Sequence, residues 1–185
     1  DPMTGQVLAL LGDTRLDDEQ STLTGHQPGS LLAPFVSVAA FARGFGPASL
    51  VWDVPPVGVD QSAPAINPDG TYHGPVRLRV ALANDYIVPM IQLADQIGVQ
   101  GIWRIAESLG VTGLAADVPN STLLTTGGSL NVLQLAQGYS SFATLGLLNG
   151  RRATTDEALQ PVLILLVQDN SGRTLLDQRV SESQP

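Results

Sequence analysis

Ser30 is the residue whose neighbours best equip it to act as a nucleophile. It lies in Gly29-Ser30-Leu31-Leu32-Ala33-Pro34-Phe35, between a Pro-Gly turn and an apolar, alanine-rich run. A serine hydroxyl attacks an acyl carbon only when a base takes its proton as it does so, and such general-base help is worth roughly 10² to 10⁴ in rate. Residues three apart share a helix face, and the residue three beyond Ser30 is Ala33, which accepts no proton. No lysine stands anywhere in the sequence; all nine cationic residues are arginine. His26, four residues before Ser30, is a candidate substitute base, and Asp85 a candidate to orient it from the same cleft. Such a serine, histidine and aspartate set is defined by geometry, which spacing alone does not give. Acting alone, Asp85 would need burial to raise its proton affinity. The plainer roles are structural: Ser30 as a helix N-cap, worth about 1 kcal/mol, and Asp85 as a solvated residue or a cap where the next helix starts.

Other chemistries find less support. There is no cysteine, so disulfides and thiolate metal sites are excluded. His26 and His73 stand far apart without carboxylates at ligand spacing, so no metal site is expected, and His73 reads as a loop histidine. Gly44-Phe45-Gly46 and Gly127-Gly128 lack the strand and helix context of a phosphate cradle and read as caps and turns, so no cofactor is expected. Trp52, Trp103 and Phe142 read as core, Arg151-Arg152 as an exposed loop pair, and Asn120-Ser121-Thr122 as a glycosylation sequon in form only.

The elements that must position these residues follow from composition and punctuation. With 185 residues, 43% of them hydrophobic and only 14% charged, the chain has the material for a folded core and not the composition of a disordered one. Its net charge of −8 argues against nucleic acid or an anionic membrane surface as partner. Every apolar stretch is interrupted well short of the ~18 residues a membrane span needs.

Gln6 to Leu11 is a short apolar run between glycines and predicts a buried strand. A polar loop, Asp13 to Gln27, leads to Ser30, and Leu31 to Arg43 predicts a buried helix ended by Gly44, with Pro34 tolerated in its first turn. The prolines between Gly46 and Gly74 predict an extended, turn-rich excursion that Trp52 and Val54 anchor. Helices are then predicted at Val76 to Ala83, Pro89 to Ile97, Gly101 to Leu109 and Asn131 to Leu145, with Gly98, Gly110 and Gly146 as stops and Ser129 or Asn131 capping the last. Val162 to Gln168 and Arg173 to Asp177, around Asp169-Asn170-Ser171-Gly172, predict a β-hairpin. Strand, helices, then hairpin is the order of an α+β fold.

Several of these segments, in order, resemble the front portion of the transpeptidase domain of penicillin-binding proteins, of the bifunctional kind that carries a glycosyltransferase upstream. Asp1 to Gly12 resembles the family's opening hairpin, Pro28 to Phe35 its nucleophile segment, His73 to Pro89 the stretch entering its second motif, and Leu135 to Gly146 a later structural helix. The resemblance implies the penicillin-binding-protein and β-lactamase-like α+β fold, here mainly helical with a small antiparallel sheet. It also implies that residues 1–185 are one transpeptidase-like domain, cut at both ends from a longer protein, with any signal or membrane anchor outside this chain.

In that family a serine followed three residues later by lysine is the acylating pair, so Ala33 marks a lost lysine. The second motif, Ser-x-Asn, falls on Asp85-Tyr86-Ile87, which replaces both a relay hydroxyl and a substrate-holding amide. The third, Lys-Thr-Gly, is expected beyond residue 185. The implied function is a cell-wall (peptidoglycan) biosynthesis module at the outer face of a bacterial membrane, catalytically inactive and kept for a structural or interaction role. Two alternatives stay open: a serine acyl enzyme, D,D-transpeptidase or β-lactam-binding, acylated at Ser30 with a base other than lysine, and a non-covalent peptidoglycan-binding module. The implied partners are peptidoglycan peptides or cell-wall proteins, and a second copy is expected to pair through an exposed sheet edge.

Overall fold

The computed structural model describes residues 1–12, 24–55, 66–114, 122–125, 127–152 and 158–185. The loop expected over Asp13 to Gln27, the excursion over Gly46 to Gly74 and the Asn120 sequon therefore lie partly outside the described residues. The architecture is α+β, with five helices, a 3-10 turn and three two-stranded antiparallel sheets among the described residues. The chain divides into two compact units: His26–Ile105 with Gly113–Ser129, and Asp1–Gly25 with Ala106–Thr112 and Leu130–Pro185.

The unit holding Ser30 is built on one buried helix. A 3-10 turn, Gly29–Leu32, runs into α1 (Ala33–Phe41), whose Phe35, Val36, Ala39 and Ala40 are buried. Because α1 is apolar around its whole circumference, it sits inside rather than on the surface. Pro34 stands in its first turn, where its missing N–H has no intrahelical partner to lose. Packed on α1 are α2 (Leu78–Ala83) and α3 (Ile87–Ile97), and α3 adds Val88, Met90, Leu93, Ala94 and Ile97 to the core. α3 ends at Gly98, whose φ of 82° is the left-handed geometry that glycine adopts without cost.

Two strands not expected from the sequence complete this unit. β1 (Leu50–Asp53) pairs antiparallel with β2 (Gly74–Arg77), Val51 opposite Val76, inside the proline-rich stretch. The helix predicted from Val76 therefore starts only at Leu78, because Gly74 to Arg77 are held by the β1 ladder. Alternation along β1 puts Val51 and Asp53 inward and Leu50 and Trp52 outward. Trp52 is 58% exposed, so it is neither core nor anchor.

In the other unit, α5 (Val132–Ala143) opens on a capping box. Asn131 accepts from the Gln134 backbone N–H, and the Gln134 side chain accepts from the Asn131 N–H, both at 2.9 Å. Packed against α5 is β3 (Leu148–Gly150), which pairs with β6 (Glu182–Gln184). The late hairpin forms as β4 (Leu166–Gln168) and β5 (Thr174–Asp177), with an irregular register after Val167. The strand expected at Gln6 to Leu11 reduces to a single parallel bridge between Gln6 and Val162, and Leu8 and Leu11 are exposed. The chain is fixed there by Gly5, at whose place a Cβ would lie 2.4 Å from the Asn149 carbonyl oxygen. Arg151 and Arg152 are half-buried rather than exposed: Arg151 pairs in a bridge with Gln160 and donates to the Val180 carbonyl. The remaining helix, α4 (Val99–Ser108), is followed by Gly110 at a φ of 87°.

Candidate functional site

Ser30 and Asp85 meet. The Ser30 hydroxyl donates to Asp85 Oδ2 at 3.1 Å, across 55 positions of sequence, in an exposed setting. Ser30 comes from the 3-10 turn that Gly29 opens at a φ of 56°, and it caps nothing: neither that turn nor α1 has a side-chain cap. The N-cap role read from the sequence is therefore replaced by a tertiary hydrogen bond.

How α2 ends explains the position of Asp85. The Tyr86 N–H donates to the Ala81 carbonyl at 2.9 Å and the Asp85 N–H to that of Leu82 at 3.4 Å, the two bonds of a Schellman closure. That closure demands a left-handed residue after the C-cap Asn84, and Asp85 takes it with a φ of 54°. Aspartate tolerates this better than most residues, though glycine is the usual occupant. Asp85 is exposed and starts no helix, since the N-cap of α3 is Tyr86.

The other candidate residues lie on neighbouring elements. Ala33, 5% exposed, is the first residue of α1, directly after the turn that holds Ser30. Ile87, half-buried, begins α3. His26 is exposed in the segment before the turn, and the Ser30 hydroxyl donates to Asp85, not to His26. Of the serine, histidine and aspartate set, the described hydrogen bond joins the serine and the aspartate. Asp85 does not have the buried surroundings that a carboxylate base requires. What the arrangement does is occupy the serine hydroxyl with a carboxylate.

Next to Asp85 in sequence, Tyr86 leads to a polar cluster that the sequence reading missed. Asp53 is fully buried in β1, and both of its oxygens accept from the Asn67 amide, at 2.9 and 2.8 Å. His73 adds its backbone N–H at 3.0 Å and its ring Nδ1 at 2.6 Å, both to Asp53 Oδ2. On the other side of the ring, Nε2 lies 3.0 Å from Asp69 Oδ2 and 3.2 Å from Thr71 Oγ1. Asn67 also accepts from the Val88 N–H at the start of α3. The Thr71 backbone N–H is the main influence holding the Asp69 carboxyl below the usual carboxylate range, with the nearby His73 acting in the same direction. Tyr86, between Asp85 and Ile87, stacks on the His73 ring with centroids 4.0 Å apart and planes 13° from parallel. His73 is therefore no plain loop histidine. The signal in the sequence was Asp53 itself, a carboxylate at the inward parity of an apolar strand, which is buried only with partners. Among the described residues, no group of histidines and carboxylates forms a metal site.

Relatives give this geometry its family. The chain is 33% identical to penicillin-binding protein 1A of Vibrio cholerae over 154 residues, which are 78% of the chain and 18% of that protein. It is 29% identical to penicillin-binding protein 1C of Escherichia coli over 183 residues, 94% of the chain and 22% of the relative.

The chain belongs to the penicillin-binding protein family. It corresponds to a front portion of the bifunctional kind and spans about a fifth of the length of these relatives. No family model matches it. The fold of the penicillin-binding protein PonA1 from Mycobacterium tuberculosis, solved with penicillin V, matches with a TM-score of 0.80 at 20% identity, over 98% of this chain and 49% of that one. Penicillin-binding protein 1A from Haemophilus influenzae matches with a TM-score of 0.62 at 25% identity, over 83% of this chain and 22% of that one. The expected α+β penicillin-binding-protein fold is therefore the observed one.

Proposed function

We propose that this chain is a penicillin-binding-protein transpeptidase module of peptidoglycan biosynthesis that has lost acyl transfer and serves a structural or interaction role in the bacterial cell envelope. The observation that carries this reading is the commitment of the Ser30 hydroxyl to Asp85, beside an Ala33 that has no proton-accepting atom. A serine activated for attack is hydrogen-bonded to a group able to take its proton near neutral pH. Carboxylates ordinarily protonate near ~3.9, far below that range. Residues that act as a unit fail as a unit, so loss of the base leaves little for the serine to do alone. Ile87 offers no hydrogen bond to a peptide amide, and a substrate amide left unpaired on burial costs about 1–3 kcal/mol.

The implied location is extracytoplasmic, with membrane attachment outside this chain; no described helix is long and apolar enough to cross a membrane. The implied partners are cell-wall proteins or peptidoglycan peptides. A second copy is proposed to pair through the exposed hairpin β4–β5, where Leu163, Ile164 and Leu175 are each more than half exposed.

The deciding experiment is intact-mass analysis after hours with a reporter β-lactam at high concentration, beside a Ser30→Ala control. No adduct on folded protein is the expected result. A stoichiometric adduct that disappears in the control would overturn the reading and make Asp85 the first residue to test as base.

A further inference from the structure

At the far end of α1 from Ser30, wholly within the same unit, a cleft of about 300 Å³ opens between the end of α1 and residues of α3 and α4. The nine residues of α1 separate it from the Ser30 turn, about 13 Å at 1.5 Å per residue. Its apolar wall includes Ala39, Ile97 and Ile105, and two arginines, Arg43 and Arg104, stand on it. A dry apolar cavity of about 150 Å³ holds benzene, so a cleft twice that size takes an apolar body of about eight to ten carbons.

Both arginines have donors to spare. Arg43 gives one long hydrogen bond, from Nη2 to the Ile97 carbonyl at 3.4 Å, and a guanidinium carries five N–H groups. Among the described residues no carboxylate pairs with Arg43 or Arg104, not even Glu107 one turn along α4, whereas Arg151, Arg173 and Arg179 each have one. In a chain with 17 acidic and nine basic residues, two cations without a carboxylate on one apolar cleft are a local exception. Gly101 keeps the floor of the cleft open. It lies inside α4 with no left-handed backbone to call for glycine, at a position where alanine is the better helix former. A Cβ there would stand 3.2 Å from Ile97 Cγ2 and 3.3 Å from Arg43 Nη2, so the missing side chain is the room that the Arg43 head uses.

We propose that this cleft binds a small monocarboxylic acid with an apolar body, of the medium-chain fatty-acid type, its carboxylate held by Arg43 and Arg104 and its chain lying on Ala39, Ile97 and Ile105. A guanidinium meets a carboxylate with two parallel N–H donors, and such charge-assisted bonds are about twice as strong as neutral ones. A fully polar anion would leave the apolar wall uncovered, and a neutral apolar molecule would leave the guanidinium groups without a partner. The net charge of −8 repels any anion at long range, so a preference for a carboxylate over its neutral isostere can arise only from cations at the site itself. The cleft stands apart from Ser30, and its ligand does not depend on whether that serine is ever acylated.

The test is octanoate titrated into the whole chain and followed by backbone amide resonances, with octanamide as a neutral molecule of the same size. Octanoate is expected to saturate with a Kd of about 1 mM or tighter and to move the amides of Arg43, Gly101 and Arg104. Octanamide should bind at least about tenfold more weakly, the effect of losing a charged hydrogen bond. Arg43→Gln and Arg104→Gln should each weaken octanoate by about tenfold and leave octanamide unchanged. Gly101→Ala, which favours the helix while filling the floor, should weaken both. No saturation by about 10 mM, octanamide binding as tightly as octanoate, or shifts confined to other parts of the chain would each overturn the assignment. So would an octanoate affinity that both arginine variants retain. The first three outcomes are read from the wild-type chain, so the result does not depend on the variants folding.

Discussion

Asp85 shows how a single position serves two demands at once. Its backbone closes α2 in a left-handed conformation, and its side chain takes the Ser30 proton donor. These demands separate by substitution. Asp85→Gly and Asp85→Ala both remove the carboxylate, but only glycine takes a φ of 54° without steric cost. Urea unfolding should therefore find the glycine variant more stable than the alanine variant by about 1 kcal/mol; equal midpoints would show that the Schellman geometry is not under that constraint. A second residue-level effect concerns Asp177, whose carboxyl is held down to about 2, chiefly by hydrogen bonds from the Arg179 side chain and backbone. A folded-state value below the ordinary 3.8 stabilises the fold above that value, and the contribution drains away as pH falls toward 2. Asp177→Asn should accordingly lower the neutral plateau of a stability-against-pH curve slightly and flatten its acid limb by the same small amount, because the pair is exposed. At this level the sequence singled out Ser30 and Asp85, which the structure brings into a hydrogen bond. It left Asp53, Asn67 and His73 unread, because their meeting depends on a strand pairing that local pattern did not reveal.

The helices were legible where glycine and proline punctuate them. α1, α3 and α5 lie within a few residues of the ranges read from sequence, because Pro34, Gly98 and Asn131 carry their own backbone chemistry. The strands were not, and the reason is physical. β1 is four residues long amid prolines, and β2 contains Pro75, whose missing N–H is tolerated in a two-stranded ladder with an open edge. Conversely, Gln6 to Leu11 has strand composition but, among the described residues, only one bridge, so composition without a partner gave the wrong element. The capping box of α5 offers the cleanest check at this level. Asn131→Ala removes the acceptor of the Gln134 N–H and should cost about 1 kcal/mol in chemical unfolding, with Asn131→Ser recovering most of it. Equal losses for both would mean that the cap acts through something other than its side-chain oxygen.

For the molecule as a whole, recognition came from segments that individually are short but occur in the right order, and the fold they implied is the fold observed. Order of this kind is kept by packing, through the buried residues of α1 and α3. The surface poses a separate question. Leu163, Ile164 and Leu175 are 55 to 57% exposed around the β4–β5 hairpin. Burying a side chain of this size is worth about 1.5–3 kcal/mol, and association costs at least about 4. Three or four such groups on each copy therefore leave a small surplus, enough for pairing in the micromolar range or weaker. A net charge of −8 opposes that pairing through long-range repulsion, which salt screens. Sedimentation velocity should accordingly show concentration-dependent association that strengthens with added salt and is abolished by Leu163→Lys with Ile164→Lys. A monomer at all concentrations, or association indifferent to those changes, would mean that this apolar surface is not where a second copy binds.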